Sequence, residues 1–200
     1  MNRDIFVLDI ETTSLQGATA GGKVLEIGIA RVNFDTGKVY PEWGQIINQD
    51  LTPAELRCWC FENTDLTPED VINSPVGPVK AAMDMYFRFR DCLFTSYNTD
   101  FDFDKYLNQA PYEFKPAMAP DIMKLVSNEY NDGYYLKAQQ AYNIFCSHDN
   151  PAGLPDGKER HRALDDAIAE GWILLRAYQD DDNIAIQYDD AIDNWRANRD

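Results

Sequence analysis

Several features that mark common functional classes are scarce or missing in this chain of 200 residues. It has only two histidines and four cysteines, and the cysteines form neither a CxxC pair nor the paired spacing of a zinc knuckle. No apolar run approaches the roughly twenty residues that a transmembrane helix needs. The sequence also lacks a P-loop, a GxGxxG loop and a GxSxG elbow. These absences argue against zinc knuckles, membrane spans, phosphate-binding loops and serine hydrolases.

Basic residues are also few, because 18 Lys and Arg stand against 34 Asp and Glu and give a net charge of −16. A protein that binds nucleic acid through its phosphates usually has a basic surface. This chain should therefore repel polyanions at long range, unless metal ions or a local basic patch reverse the field. The acidity fits adaptation to high salt, an acidic tail or a cluster of carboxylates that holds cations, and composition does not decide between them.

The remaining composition is that of a globular domain, with 44% hydrophobic residues. The N-terminal run MNRDIFVLDIE has charges within and beside a short apolar stretch, which predicts a strand rather than a signal peptide. The simplest account of the cysteines is that they are reduced and buried. We therefore expect a cytoplasmic protein in a reducing, intracellular compartment, with no membrane association.

Hydrophobic patterning predicts strands followed by a crossover with helices around it, which indicates an α/β domain with a mixed sheet. Strands are expected over 4–11, over two segments of 23–43 joined by a turn at Asp35, Thr36 and Gly37, and over 92–98. Short helices are expected within 50–76 because of repeated TP and SP dipeptides. Longer helices are expected over 78–91, 101–110, 120–130, 135–145 and 161–178.

Two apolar stripes at helical spacing predict which faces of two helices pack on the core. In the helix over 78–91 the apolar face is predicted to consist of Val79, Met83, Tyr86 and Phe87. After residue 178, the stripe Ile184, Tyr188, Ile192 and Trp195 predicts a last helix that docks on the core, with a partner-binding helix as the alternative.

Acidic residues at the ends of predicted strands and helices are the candidate functional residues. Asp9 and Glu11 alternate along a strand and so point to one side, which is electrostatically costly unless cations lie between them. Asp102 follows the strand over 92–98. In the helix predicted from His161, the histidine and Asp165 should lie one turn apart, with Asp166 offset around the helix.

Oxygen ligands in such positions suit Mg²⁺ or Mn²⁺. Two such ions can hold a phosphodiester, one activating a water and the other stabilising the leaving oxygen. A histidine titrates near neutrality, so His161 is the residue type that can take the proton from that water.

Three stretches, in order, resemble the motifs of the DEDDh 3′–5′ exonucleases, the DnaQ-like branch of the ribonuclease H-like fold. They are DIETTSL at 9–15, YNTDFD at 97–102 and HRALDDA at 161–167. The segments NTDLTPEDV at 63–71 and PDIMKL at 120–125 are also similar to parts of this family. The resemblance implies a three-layer fold with a mixed sheet of about five strands flanked by helices. It implies an exonuclease domain over 1–178, followed by an acidic helical extension over 179–200.

The resemblance also implies a role for each matching residue. Asp9 would bridge two metal ions, with Glu11 and Asp166 completing the first site and Asp102 holding the second, partly through water. His161 would be the general base. Thr12, Thr13 and Leu15 match positions that hold the terminal nucleotide, with the leucine wedged against its base, while Asn98 and Phe101 match residues that support the second motif.

Some positions depart from the family's usual residues, or duplicate them. Ser14, Tyr97 and Thr99 stand where other residues are common, and we interpret all three as adjustments of the substrate pocket. The neighbouring acids Asp100, Asp104 and Asp165 nearly duplicate the catalytic acids. Asp102 is preferred because it follows a phenylalanine and lies four residues after Asn98, whereas Asp165 is interpreted as a first-turn helix acid.

The resulting hypothesis is a two-metal-ion 3′–5′ exonuclease that degrades single-stranded 3′ ends to nucleoside 5′-monophosphates. DNA is favoured over RNA because the Glu-Thr-Thr context is closer to the proofreading and repair branch of the family. The alternatives are an exoribonuclease acting on short RNA, and a weakly catalytic accessory or proofreading subunit acting through a polymerase or other protein partner. A homodimer and, with less support, a phosphatase or endonuclease on the same fold are further alternatives.

Overall fold

A central five-stranded mixed sheet organises the chain, whose computed structural model describes residues 3–158 and 160–199. The strands are β1 (Asp4–Thr12), β2 (Val24–Asn33), β3 (Lys38–Ile46), β4 (Leu93–Thr95) and β5 (Ala117–Met118). Their order is β3-β2-β1-β4-β5, with β1, β2 and β3 antiparallel and β4 and β5 parallel to β1. The expected α/β architecture with a mixed sheet of five strands is confirmed.

The helices surround this sheet. They are α1 (Trp59–Asn63), α2 (Pro68–Ile72), α3 (Pro78–Phe89), α4 (Ile122–Tyr130), α5 (Ala138–Phe145), α6 (Ala163–Asp180) and α7 (Asp182–Ala197), together with a π-helix at Asp100–Leu107. Single 3₁₀ turns lie at Ala18–Ala20, Glu55–Arg57 and Pro155–Gly157. Among the described residues, every helix is too short or too polar to cross a lipid bilayer.

The alternation of side chains along β1 assigns its residues to two cores. Ile5 and Val7 pack on one face with side chains of α4, α5, α6 and α7, while Leu8 and Ile10 pack on the other with α3 and the π-helix. Asp9 and Glu11 continue the series of Ile5 and Val7. The two acids are therefore on the face of the sheet that α6 covers.

Close approach of α6 to the sheet depends on two glycines. A Cβ atom at Gly28, which pairs with Asp9 across β1 and β2, would lie 2.1 Å from the backbone of Ala163. A Cβ atom at Gly171 would lie 2.9 Å from a methyl group of Val39 on β3. Because both positions are glycine, the first turn of α6 lies directly on the strand beside Asp9.

The predicted apolar face of α3 is wrong. Val79, Met83, Tyr86 and Phe87 are 53–69% exposed, and the residues that pack on the sheet are instead Ala81, Ala82, Met85 and Phe89. Both sets recur at helical spacing, so this helix has two apolar stripes. The stripe with the small residues is buried because it permits closer packing on the sheet.

The start of the helix predicted from His161 is also wrong, because α6 begins at Ala163. His161 precedes it in a left-handed conformation with φ of 51°, and Arg162 is extended. The carboxylate of Glu26 on β2 accepts a hydrogen bond from the Ala163 N–H at 3.2 Å, which satisfies a donor at the start of the helix. His161 and Asp165 are consequently not neighbours on one helical face.

The other predicted elements differ only in extent or type. The strand expected over 92–98 is limited to β4, and the helix expected over 101–110 is the π-helix. The predicted docking of the last helix is confirmed, since Ile184, Tyr188 and Ile192 of α7 are each 1% exposed and Trp195 packs against them. The hydroxyl of Tyr188 also donates to the Pro120 carbonyl at 3.0 Å.

Candidate active site

A cavity of about 210 Å³ separates the end of β1 from the first turns of α6. Its lining includes the side chains of Asp9, Glu11, Tyr142, His161, Asp166 and Glu170. Glu11, Asp166 and Glu170 are 6–8% exposed, so these carboxyl groups are almost completely removed from water. Three of the predicted acids and the predicted base therefore meet in one place.

Asp102 does not line this cavity, but its charge is among those that raise the pKa of Asp9. It is 4% exposed, whereas Asp100 and Asp104 are exposed and Asp100 forms an ion pair with Lys124 at 2.9 Å. The Asn98 carbonyl accepts a hydrogen bond from the Asp102 N–H at 3.0 Å, and the Asn98 side chain accepts from the Phe101 N–H at 3.2 Å. Asn98 therefore starts the turn that directs Asp102 inward and its neighbours outward.

The loop before the π-helix is held by Asp121, a buried acid at the start of α4. One of its carboxylate oxygens accepts hydrogen bonds from the backbone and hydroxyl of Thr99 at 2.8 and 2.9 Å. The other caps α4 by accepting from the Lys124 N–H at 2.7 Å. Asp121 thus fixes the second motif to the neighbouring helix.

His161 lies between the acids and an aromatic side chain. One ligand atom each of Glu11, His161 and Asp166 lies within 4.8 Å of the other two. The imidazole meets the Trp59 ring edge to face, with 5.0 Å between the ring centroids. Residues with a side chain rarely adopt a left-handed backbone such as that at residue 161, and such positions cluster at functional sites.

Arg162 anchors the histidine's backbone to the sheet. Its guanidinium donates two hydrogen bonds to the Glu26 carboxylate at 2.9 and 2.7 Å. Paired hydrogen bonds of this kind fix both distance and orientation. Glu26 therefore holds Arg162 and the first turn of α6 at once, and this fixes the position of His161.

Crowding of the acids raises their pKa values. Burial raises the pKa of Asp9 well above its usual range, and among its charged neighbours Glu170 contributes most. Burial, reinforced by the charge of Asp166, raises the pKa of Glu11 to about 9. Burial and the Asp121 charge raise the pKa of Asp102 to about 8. The metal-free site therefore retains protons at neutral pH that a cation could replace.

The pKa of His161 shifts in the opposite direction, since burial lowers it below its ordinary value. The neutral imidazole is thus favoured, which is the form that accepts a proton. A buried cluster of carboxylates fits hard divalent cations such as Mg²⁺ and Mn²⁺. The side chains present therefore suit a divalent-metal centre with a base beside it.

Glu170 was missed by the sequence reasoning. It lies four residues after Asp166 on α6, so the two carboxylates share one face of the helix. This spacing is visible in the sequence. Glu170 lies outside the three motifs, however, and its burial in the cavity depends on how α6 packs on the sheet.

A second pocket of about 590 Å³, the rim pocket, adjoins the first cavity, the acid cavity, and shares Ile10 and Glu11 with it. The predicted residues Thr12, Thr13, Leu15 and Phe101 line it, together with Ser14, Trp59, Tyr135 and Lys137, whereas Asn98 does not. Leu15 is 74% exposed and Tyr135 is 63% exposed. Apolar and aromatic side chains thus stand in solvent at the rim of the acid cavity. Trp59, Tyr135 and Lys137 come from segments in which no motif pointed to them.

Hydrogen bonds hold the loop after β1 that forms one wall of this pocket. The Thr12 hydroxyl donates to the Ser14 carbonyl at 3.0 Å, and the Thr13 N–H donates to the Lys23 carbonyl at 2.9 Å. The Thr13 hydroxyl accepts from the Lys23 N–H at 3.0 Å. The exposed Leu15 is therefore carried on a loop tied to the start of β2.

Only one of the three departures from the family's usual residues lies in this pocket. Ser14 lines it. Tyr97 is 5% exposed and donates to the Leu136 carbonyl at 2.6 Å, and Thr99 bonds Asp121. The interpretation as pocket adjustment is therefore wrong for Tyr97 and Thr99, which stabilise the core and the second motif.

Comparison with known proteins identifies the family of this chain. The model of the RNase_T family, described as an exonuclease family, matches residues 6–171. A curated relative, the 3′-5′ exonuclease DinG of Staphylococcus epidermidis, is 25% identical over 176 residues, which is 86% of this chain. The match spans only 18% of that longer protein.

Three solved structures illustrate the shared fold. The nuclease domain of 3′hExo, a DEDDh family member solved with rAMP, has 18% identity and a TM-score of 0.63, covering 90% of this chain and 93% of that one. Exonuclease I of E. coli, solved with a dA16 oligonucleotide, has 14% identity and a TM-score of 0.63, covering 93% and 42%. Pop2p of S. pombe, with Mg²⁺ and Mn²⁺ bound, has 12% identity and a TM-score of 0.63, covering 88% and 83%.

Proposed function

Because the chain belongs to the RNase_T exonuclease family, we propose that it is a metal-dependent 3′–5′ exonuclease that shortens single-stranded nucleic acid to nucleoside 5′-monophosphates. The observation that carries this proposal is the meeting of Glu11, His161 and Asp166 within 4.8 Å, beside Asp9. Donors of this kind suit divalent ions, and the base lies among them. DNA is the favoured substrate, on the Glu-Thr-Thr context of the first motif.

Two Mg²⁺ or Mn²⁺ ions are the proposed cofactors. Asp9, Glu11 and Asp166 would hold the first ion, and Asp102, with Asp9, the second. Bound ions of this charge activate a water molecule and neutralise negative charge on a phosphodiester. The raised pKa values of Asp9, Glu11 and Asp102 fit this role, because a cation that displaces their protons also relieves the repulsion between them.

His161 is the proposed general base. Its lowered pKa leaves the imidazole neutral at physiological pH, so it can take the proton of the attacking water. Arg162 and Glu26 hold the backbone that orients it. The proton is removed while the water attacks the terminal phosphodiester in line with the departing 3′ oxygen of the shortened strand.

The rim pocket is the proposed site of the terminal nucleotide. Leu15, Trp59 and Tyr135 offer apolar surface to a base, and Lys137 offers a positive charge to a phosphate. Stacking on such side chains accepts every base, as exonucleolytic degradation requires. The local lysine would also oppose the repulsion expected from the net charge of −16.

The test is digestion of 5′-labelled single-stranded DNA and RNA of equal sequence, with Mg²⁺, with Mn²⁺ and with EDTA. Products that shorten from the 3′ end, and that disappear in EDTA, are expected. His161→Ala should lower the rate by about 10²- to 10⁴-fold, the usual contribution of a general base. His148→Ala is the matched control, because His148 is exposed and pairs with Asp149 away from the cavity.

The relative rates of digestion of the DNA and the RNA identify the preferred substrate. Faster digestion of RNA would replace the DNA preference with the exoribonuclease alternative. If both strands remain intact with either metal, the proposal fails and the accessory-subunit alternative takes its place.

A further inference from the structure

Trp59 is an exposed aromatic residue that joins the rim pocket to the proposed general base. Its ring lines the rim pocket and meets the imidazole of His161 edge to face, with 5.0 Å between the ring centroids and 81° between the ring planes. His161 itself lines the acid cavity. Trp59 belongs to none of the three motifs, so the contact links the two regions of the site through a residue that the motifs do not include.

The backbone that carries Trp59 is anchored on both sides by buried cysteines. Cys58 is 9% exposed and Cys60 is 1% exposed, and both belong to a small core with Leu25 of β2. The Asn63 side chain also donates a hydrogen bond to the Trp59 carbonyl at 2.8 Å. Trp59 is 58% exposed, so its indole projects to the surface from a backbone that is held in place.

The contacts that fix the backbone after His161 do not fix its ring. The Glu26 carboxylate holds the guanidinium of Arg162 and the N–H of Ala163. A side chain can still rotate among its staggered conformations when the backbone is held. The indole of Trp59 occupies one side of the imidazole and so limits that rotation, and the edge-to-face arrangement is a preferred one for two rings.

The orientation of this imidazole matters for the proposed reaction. In the observed orientation, one imidazole nitrogen lies within 4.8 Å of a carboxylate oxygen of Glu11 and of Asp166. A general base has to be within hydrogen-bonding reach of the proton that it removes, and a ring rotated away from the acids would leave that range. Small displacements of reacting groups lower reaction rates steeply.

We propose that Trp59 is a positioning residue for His161, whose indole keeps the imidazole turned towards the acid cavity. The inference rests on the proposed function, because it concerns the general base of the same reaction. Its consequence is that one residue of the rim pocket affects the chemical step as well as substrate binding.

The first measurement is the steady-state kinetics of Trp59→Ala, Trp59→Phe and Phe87→Ala on the strand that the wild type digests faster. Trp59→Ala should lower kcat by about 10- to 100-fold, the order of loss expected when a reacting group is misplaced by about 1 Å. Trp59→Phe keeps an aromatic ring and should retain most of the wild-type kcat. Phe87→Ala is the matched control, since Phe87 is a 69% exposed aromatic residue on α3, and it should leave kcat unchanged. A change in KM alone in Trp59→Ala would overturn the inference.

The double variant Trp59→Ala/His161→Ala tests whether Trp59 acts through the histidine. If it does, the double variant should have the kcat of His161→Ala, because effects are not additive when one residue acts through another. A further fall in kcat, as large as that in Trp59→Ala alone, would show that Trp59 acts by another route.

Nuclear magnetic resonance of the metal-free protein tests the orientation without nuclease activity. The chain has only two histidines, and His148, with a side chain that is 67% exposed, is an internal reference. Carbon-13 relaxation should show a His161 ring that is more restrained than the His148 ring in the wild type and in Trp59→Phe. In Trp59→Ala the His161 ring should become about as mobile as that of His148. A His161 ring that stays restrained in Trp59→Ala would contradict the proposed role.

The two proposals fail in different ways. If the wild type digests neither DNA nor RNA, the proposed function fails, and the relaxation of the His161 ring still decides whether Trp59 orients it. If the wild type digests nucleic acid and Trp59→Ala has the wild-type kcat, the proposed function stands and the role of Trp59 is rejected.

Discussion

The acid cavity and the rim pocket share Ile10 and Glu11 but differ in the polarity and exposure of their other side chains. The cavity places buried charges on β1 and α6, two of the most extensively packed elements of the fold. The pocket places exposed apolar side chains, such as Leu15 and Tyr135, on loops and short helices. One region concentrates charge away from water, and the other exposes hydrophobic surface to it.

The difference shows how the work of the proposed enzyme is divided. Buried carboxylates must be held rigidly because their positions determine which ion binds and where it lies. Exposed rings need only present a flat surface to a base, and loops suffice for that. Substitutions in the cavity should therefore alter the chemical step, whereas those in the pocket should alter substrate binding.

The largest effect is expected at Asp9, which lies at the centre of the acids. Asp9→Asn should reduce the maximal rate by about a thousandfold or more, since a bound metal contributes several kcal/mol to the transition state and each 1.36 kcal/mol is tenfold in rate. Single-turnover digestion of labelled DNA measures this loss. Asp104→Asn, an exposed acid on the same π-helix as Asp102, is the control and should keep the wild-type rate. Equal losses in both variants would contradict the division between buried and exposed acids.

A smaller and different effect is expected in the pocket. Tyr135→Ala should raise KM by about 5- to 150-fold and change kcat less, because stacking on one aromatic side chain is worth about 1–3 kcal/mol per base. Tyr134→Ala is a close control, since Tyr134 is 74% exposed but does not line the pocket. Steady-state kinetics on a short oligonucleotide separates the two constants. A loss confined to kcat would show that the pocket serves the chemical step after all.

The last effect concerns the pH dependence of stability. In EDTA, the folded protein binds protons at Glu11 and Asp102 more tightly than the unfolded chain does, with pKa values of about 9 and about 8. Their contribution to stability is therefore complete below the unfolded pKa values of about 4, and it is lost progressively as the pH rises to 8 and 9. Each group loses about 1.4 kcal/mol of stability per pH unit up to its folded pKa. The melting temperature should therefore fall by roughly 15 °C or more between pH 6 and pH 9, at about 2–4 °C per kcal/mol for a chain of this size.

Calorimetry with and without Mg²⁺ tests the origin of this change. Mg²⁺ should flatten the profile by taking the place of the protons, and Glu11→Gln should flatten it in EDTA. A melting temperature that rises from pH 6 to pH 9 in EDTA would mean that the acids are not crowded as the structure shows.

Much of the fold follows from local sequence patterns. The alternation in DIFVLDIE predicts a buried strand with Asp9 and Glu11 on one face, and the Asp35, Thr36 and Gly37 turn predicts the hairpin. These features depend on neighbours a few residues apart, so one sequence suffices to identify them. The burial of Asp102 between exposed Asp100 and Asp104 also agrees with its spacing from Asn98.

Other features depend on contacts between distant segments. The left-handed backbone of His161 directly precedes Arg162 and the start of α6, both of which Glu26 holds, and no pattern near residue 161 encodes that contact. Which stripe of α3 is buried is decided by the space beside the sheet. Tyr135 joins the pocket only because the loop before α5 lies next to the end of β1. The sequence alone therefore predicts the acids better than it predicts what surrounds them.

Gly28 shows how a residue without functional groups can govern the site. Any larger residue there would force the backbone at Ala163 away from β2, and His161, Asp166 and Glu170 would move with it, away from Asp9. Every motif would still be intact in such a protein. A comparison based only on its catalytic residues would classify it as active, although Asp9 would no longer lie near the residues at the start of α6.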